Sequence, residues 1–413
     1  MAHSRRDFLK GSISLLSLSL ASPKIFFSQS GSVFAQSGSP RNILVIVEMM
    51  GGNDGLNTFV PYTDQTYYSS RPTLAIPEAN VLKVNERLGM NPALGKLKGL
   101  YDEGKVAIVQ NTGYPQPDLS HFRSRAIYQR ADPTTQEANE QLGWLGKYGD
   151  LKLATTGNPL SLVNIGDEAV PKAFVADKVN TTSISSFEAY QFQTDAKYPT
   201  DRMNQTNSFK KTNSIESSDP EFVFIGDNGI DAIESADSLQ AGIKKYTPAV
   251  EYPKDRLGPR LQMAAQIIAA ELGSQIIYTS YSGFDTHSSQ KEDHQELLTS
   301  FSDGISAFYN DLTRLNKADN VIVMAFSEFG RRVRENGSQG TDHGAAGPMM
   351  VIGNGIKGGL YGNVPNLSKL DNAGNLIFDI DFRSVYSTIV RDWLQADPTA
   401  VVGGNFENLG FIK

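Results

Sequence analysis

Six apolar runs along the chain have the length and density of strands buried on both faces: Asn42 to Met50, Val106 to Gln110, Pro159 to Ile165, Gln275 to Tyr281, Asn320 to Phe326 and Pro348 to Ile352. Between them the apolar positions switch to helical spacing. Pro92 to Gly104 places Leu94, Leu97, Leu100 and Tyr101 on one face, and Leu257 to Leu272 does the same with Leu261, Ala264, Ala265, Ile268 and Leu272 before Gly273. Longer stripes run from Lys291 to Asn316 and from Asp381 to Leu394, and a shorter helix is expected at Arg123 to Arg130. Strands that alternate with helices predict an α/β fold around a mostly parallel sheet. The stretch from about Asp177 to Asp219 breaks the pattern. It is polar and weakly periodic, and reads as an insertion that either caps a site or lies loose on the surface.

Three of the strands end in polar cargo. Gly51-Gly52-Asn53-Asp54 follows the first, Phe284-Asp285-Thr286-His287 the fourth, and Ser327-Glu328-Phe329-Gly330-Arg331 the fifth. Ligands of open α/β sheets bind at the carboxyl ends of strands, so these ends are expected to meet at one site. Asp54 is a candidate metal ligand, or simply part of an Asn-Asp-Gly turn. Asp285 and His287, two residues apart in extended backbone, project to one side and could hold a cation together, or form a hydrogen-bonded pair. Gly340 to Gly347 is too rich in glycine for a regular element, so Asp342 and His343 are expected to arrive on a loop.

Asp118-Leu119-Ser120-His121-Phe122 precedes the expected short helix. Ser120 there is either an N-cap or, with His121 and Arg123 beside it, a nucleophile or phosphate contact at a helix N-terminus. His294 opens the apolar stripe of a helix, the position of a core histidine, yet its helix begins next to the site and a ligand or supporting role is also open. Arg331, Arg332 and Arg334 form either a solvated run or a receiver for an anionic group.

Composition narrows the chemistry. The chain has 413 residues, within reach of one large α/β domain from residue 41 to 413, and no cysteine, which removes disulfides and thiolate chemistry. Any metal must be held by oxygen and imidazole. Of five histidines, one (His3) is near the N-terminus and the other four fall in the motifs above, so Asp54, Asp285, Glu328, Asp342 and the imidazoles form a set suited to Zn, Mn, Mg or Ca.

Residues 1–35 read as an export signal rather than as fold. Ser4-Arg5-Arg6-Asp7-Phe8-Leu9-Lys10 has the twin-arginine pattern, Gly11 to Ala21 is a short apolar stretch too serine-rich for a stable membrane span, and Val33-Phe34-Ala35 offers a cleavage site. The twin-arginine export machinery is thus an expected partner, and the expected destination is the periplasm or the medium. The net charge of −7 becomes −10 without that segment, which excludes general nucleic-acid binding but not a small anionic ester.

SRRDFL, EMMGGNDGLNTFVPY, RPTLAI, DLSHF, GFDTH, FSEFGRRVRENGSQGTDHG and DFRSVYSTIVRDWL, in that order, resemble the exported bacterial family catalogued as domain of unknown function 1501. That family is similar, more distantly, to the alkaline phosphatase and sulfatase superfamily. The resemblance implies a three-layer sandwich, a large sheet between helices with metals at the strand ends. It implies that Asp54 is the aspartate after the first strand, Ser120 the nucleophile position, Asp285 and His287 the middle metal pair, Glu328 the later carboxylate and His343 the late histidine. Two departures stand out: the middle pair is separated by one residue instead of three, and the late strand ends in Glu328-Phe329 instead of Asp-His. Asp342 or His294 would have to supply the missing ligand. The expected activity is metal-dependent hydrolysis of phosphate or sulfate esters, with the cation activating Ser120 or a water, His121 or His343 handling protons as catalytic residues, Asn53 and His294 supporting the ligands, and Arg123 or Arg331 receiving the anion. The alternatives are a non-catalytic, metal-stabilised exported binding protein and a calcium-dependent surface protein.

Overall fold

The computed structural model describes residues 42–413 apart from 135–140, 193, 195–197 and 215–218. The twin-arginine motif and its cleavage site lie outside the described residues. A nine-stranded sheet runs through the molecule. Its strands are β1 (Ile43–Met50), β2 (Val106–Gly113), β3 (Leu162–Ile165), β4 (Thr182–Ile184), β5 (Ile276–Ser282), β6 (Val321–Phe326), then, after a separate hairpin of β7 (Gly330–Glu335) and β8 (Thr341–Gly344), β9 (Gly347–Ile352), β10 (Gly359–Tyr361) and β11 (Ile380–Asp381). The sheet order is β10-β2-β9-β6-β1-β5-β3-β4, with β11 also on β2. β1 pairs in parallel with β5 and β6, and β3 with β4 and β5. β10 and β11 pair in parallel with β2, and β9 runs antiparallel to both its neighbours. The sheet is therefore mixed but mostly parallel.

Alternate residues of β1 feed opposite faces. Val45, Val47 and Met49 join one apolar cluster, Leu44 and Ile46 the other. Among the described residues the helices of at least seven residues are α1 (Gly95–Asp102), α2 (His121–Arg130), α3 (Trp144–Lys152), α4 (Pro199–Asn213), α5 (Pro220–Ile243), α6 (Gly258–Ala269), α7 (Gln290–Arg314) and α8 (Phe382–Thr388), the last running into a π turn at Ile389–Trp393. Leu97 of α1, Leu239 of α5, Ala264 of α6 and Phe301 of α7 cover the first face; Ile127 of α2, Trp144 of α3 and Val385 of α8 cover the second. The expected three layers are present because strands that send apolar side chains to both faces demand cover on both sides. Among the described residues no helix is long and apolar enough to cross a membrane.

One expectation needs correction. Gly340 to Gly347 does hold regular structure: β8 pairs with β7 so that His343 faces Arg331, and Gly344 allows the close approach, since a Cβ there would lie 2.5 Å from the Arg331 carbonyl carbon. The polar stretch 177–219, read as an insertion, also holds regular structure. It supplies the edge strand β4 and helix α4, which packs on α5, while α5 packs in turn on α6. α4 reads poorly in the sequence because it buries none of its residues, so tertiary cover never imposed an apolar stripe.

Candidate metal centre

β6, β1 and β5 are adjacent and parallel, so their carboxyl ends open on one side. The β1 end passes very close to the β5 end. Gly51 has φ +122°, and a Cβ on it would sit 2.3 Å from the backbone nitrogen of Asp285. Only glycine allows this approach. It brings the loops carrying Asp285 and Glu328 together.

Glu328 is fully buried. Its carboxylate accepts from the Gly51 amide at 3.0 Å, the Gly52 amide at 3.2 Å, Ser327 Oγ at 3.0 Å and His121 Nδ1 at 2.8 Å. Burial alone would raise its pKa, but the His121 bond and the backbone amides outweigh burial and hold the group ionised. His121 is the first residue of α2, and that helix is locked to the sheet by a bidentate pair of Arg125 to the buried Glu48 of β1, at 2.8 and 2.9 Å. The charge that interrupts the first strand is thus a paired one. The Glu328 bond raises the His121 pKa against the lowering effect of burial.

Three imidazoles turn toward Asp285. His343 Nε2 stands 3.1 Å from Asp285 Oδ1, His287 Nε2 3.2 Å from the same oxygen, and His121 Nε2 3.4 Å from Oδ2. The two Nε2 atoms of His287 and His343 are 2.9 Å apart. Each ring is anchored on its other nitrogen to an oxygen that can only accept: Glu328 for His121, the Leu119 carbonyl at 2.8 Å for His343, and Asp342 at 3.3 Å for His287. Those acceptors assign the proton of each neutral ring to Nδ1, so all three Nε2 lone pairs face one carboxylate. Ligand atoms of His121, Asp285 and His343 all lie within 4.8 Å of one another, and His121 Nε2 is buried without a hydrogen-bond partner. Converging lone pairs repel unless a proton or a cation lies between them. Histidine held by a carboxylate or carbonyl behind it is the usual support of a metal ligand. The residues present therefore fit a divalent cation.

Asp285 itself is pinned by Arg331 Nη2 at 2.7 Å. Burial would raise its pKa, but Arg331 and His343 bring it down to about 2. Arg331 was expected to bind an anion and is instead sealed inside the protein. Its Nε donates to the Gly52 carbonyl and its Nη1 to Thr341, and Nη2 reaches the carbonyls of Gly51 and Phe284 as well as Asp285. It fastens the three loops together.

Asp54 also departs from its expected place among the ligands. It caps the turn Gly55–Thr58, with Oδ1 accepting from the Leu56 and Asn57 amides, while Oδ2 accepts from Arg71 Nη1 and Gln290 Nε2, each at 2.5 Å. Burial raises its pKa and Arg71 more than reverses that. His294 is a buried residue whose Nε2 donates to Asn53 Oδ1 at 2.9 Å, and burial pushes its pKa down to about 4. Asn53 is buried and also accepts from Thr58. Both stand behind the site. Asp342 is half exposed and its pKa is lowered first by a bond from Asn336.

Ser120 is exposed at the N-cap position of α2 yet makes no capping bond with its side chain. Its hydroxyl is therefore not spent on the helix end. Arg123 bonds the Pro133 carbonyl at 3.3 Å through Nη2, and its buried Nη1 has no partner among the described residues. Sequence reasoning missed Arg71, Gln290 and Asn336. Arg71 opens the RPTLAI motif and Asn336 lies within FSEFGRRVRENGSQGTDHG, but the roles of all three come from segments that meet only in the fold.

Fold and site together define an α/β protein with a histidine and carboxylate cluster at the carboxyl ends of three neighbouring parallel strands. The chain belongs to the family described as Protein of unknown function (DUF1501), whose profile matches residues 104–377. No curated protein matches it. Among solved structures it is similar to the PsFucS1 sulfatase from Pseudoalteromonas sp. at 10% identity, covering 100% of this chain and 78% of that one with a TM-score of 0.39. It is also similar to the alkaline phosphatase from the Antarctic bacterium TAB5 at 12% identity, covering 76% and 92%, with a TM-score of 0.32. Likenesses this remote say nothing about the reaction.

Proposed function

We propose that the cluster binds a divalent cation and that the protein is an exported hydrolase of phosphate or sulfate esters. The observation that carries this reading is the convergence of three Nε2 atoms on Asp285, each ring anchored behind by an acceptor. His121, His287, His343 and Asp285 would hold the cation, with Glu328, Asp342 and the Leu119 carbonyl orienting the rings. A set of three imidazoles and one carboxylate suits Zn or Mn better than the oxygen-loving Mg and Ca. When bound, such a cation supplies Lewis acidity at an ester oxygen.

The chain's own groups supply the rest. Ser120 Oγ, exposed and unspent on capping, is the candidate nucleophile, and the open amides of the α2 N-terminus face the same solvent and favour an anion. Arg331 acts through Asp285 and Arg123 remains the arginine for the substrate's charge. The twin-arginine motif at Ser4 to Lys10 supports export to the periplasm or beyond. The sealing of Arg331 and Asp54 favours a second reading, a metal-stabilised binding protein without turnover, because it withdraws two groups that a hydrolase of this kind would use.

Purified protein assayed on aryl phosphates, phosphodiesters and aryl sulfates decides between them. Turnover abolished by chelation and restored by Zn or Mn, with Ser120→Ala lowering it at least about 1000-fold while the fold persists, is the expected result. Bound metal without turnover on any ester class would leave the binding protein.

A further inference from the structure

We infer that the centre takes one cation, and that Arg71 supplies, as a built-in guanidinium, the positive charge that a second cation would have brought to Asp54. The inference rests on the metal reading above. The carboxylate that a second cation would need, Asp54, is already saturated. Asp54 and Arg71 are both fully buried and 2.5 Å apart, and both oxygens of Asp54 are occupied by two amides, the guanidinium and the Gln290 amide. Arg71 is held in turn by the Val333 and Arg332 carbonyls and by Asn57 Oδ1, at 2.8 to 2.9 Å. Ejecting it to seat a metal would strand a buried charge.

Gln290 donates to Asp54 and accepts from Thr286 and Thr341, the sequence neighbours of Asp285 and Asp342, so neutral side chains link Asp54 to the segments that carry the cluster's carboxylates. The fourth imidazole, His294, lies on the Asp54 side, where it donates to Asn53 and is neutral. Charge balance agrees. With the three imidazoles neutral, Asp285, Glu328 and Asp342 against Arg331 leave the cluster with two net negative charges, which one divalent ion neutralises. Asp54 is already neutralised by Arg71. A second divalent ion would be uncompensated in a buried region, where unpaired charge is costly.

Titration of metal-stripped full-length protein with Co2+ or Zn2+, read by native mass spectrometry, tests this. One equivalent is expected in the wild type, retained in Asp54→Asn and lost in Asp285→Asn. Two tightly held equivalents would overturn the single-cation inference and leave the hydrolase reading standing; none would overturn the metal reading itself. Because Asp54→Asn strands a buried Arg71 and could unfold, a second readout uses the wild type alone. The Co2+-loaded protein should show three solvent-exchangeable, hyperfine-shifted imidazole N–H protons, those of His121, His287 and His343. A fourth, from His294, would place a cation in the Asp54 chamber and refute the assignment.

Discussion

Nδ1 of His121 and Oε1 of Glu328 stand 2.8 Å apart, joining the first turn of α2 to the end of β6. The carboxylate is fixed from its other sides by two backbone amides and Ser327, so it aims the imidazole and does not follow it. Glu328→Gln keeps the shape and removes the charge. Losing an orienting carboxylate behind a ligating histidine typically costs 10- to 100-fold in metal affinity. Chelator competition should show a weakening of that order, with a thermal midpoint that drops only modestly. Unaltered affinity would mean that His121 is not a ligand.

The Arg71–Asp54 pair predicts an effect on stability instead. Both side chains are inaccessible to solvent, and removing one partner leaves the other charged and buried. Breaking such a pair costs about 3–5 kcal/mol. Arg71→Met should lose about that much in urea unfolding, and Asp54→Asn a comparable amount. A loss under about 1 kcal/mol would mean that water reaches the pair and that the chamber is open.

Gly51 joins backbone geometry to the site. Its φ of +122° and the 2.3 Å gap that a Cβ would leave to the Asp285 nitrogen permit no side chain without moving the loop. Gly51→Ala should therefore cost about 2 kcal/mol or more and displace Asp285 from the three imidazoles. Metal affinity and stability should fall together. Gly104→Ala, also at positive φ but with open space around its Cβ position, should affect stability alone.

The sheet was legible because β1, β5, β6 and β9 are buried at nearly every position, and a strand of that kind must be written in apolar residues. The meeting of the β1, β5 and β6 ends followed from the same reasoning. Three features were not legible. β8 carries Asp342 and His343 but exists through hairpin pairing with β7, which leaves no period in four residues. Arg331 looked like one member of a basic run, yet alternation along β7 sends it inward and Arg334 outward, which is visible only once the strand is known. Asp54 has the residue type and position of a ligand. What removes it from the cluster is an arginine 17 residues away whose burial no local pattern announces.

His294 makes the fold sensitive to acid. It is buried on the stripe of α7 and donates Nε2–H to Asn53, and burial, with the positive charges of Arg71 and Arg331 adding to it against Asp54, lowers its pKa from 6.5 to about 4. The unfolded chain takes up a proton near pH 6.5 that the folded one refuses until about pH 4. The stabilisation is therefore complete above pH 6.5 and is lost as the pH falls toward 4, by about 3 kcal/mol in total. Asp54, also depressed, starts to lose its contribution only below its ordinary value of 3.8, so the two windows separate. Urea unfolding at pH 7, 5.5 and 4.5 should show stability falling steadily in the wild type. His294→Gln can keep a donor toward Asn53 but has no proton to gain; it should start lower at pH 7 and vary much less over the same range. A variant that retains the full wild-type slope would show that the acid sensitivity arises elsewhere, and that His294 titrates as freely in the folded protein as in the unfolded chain.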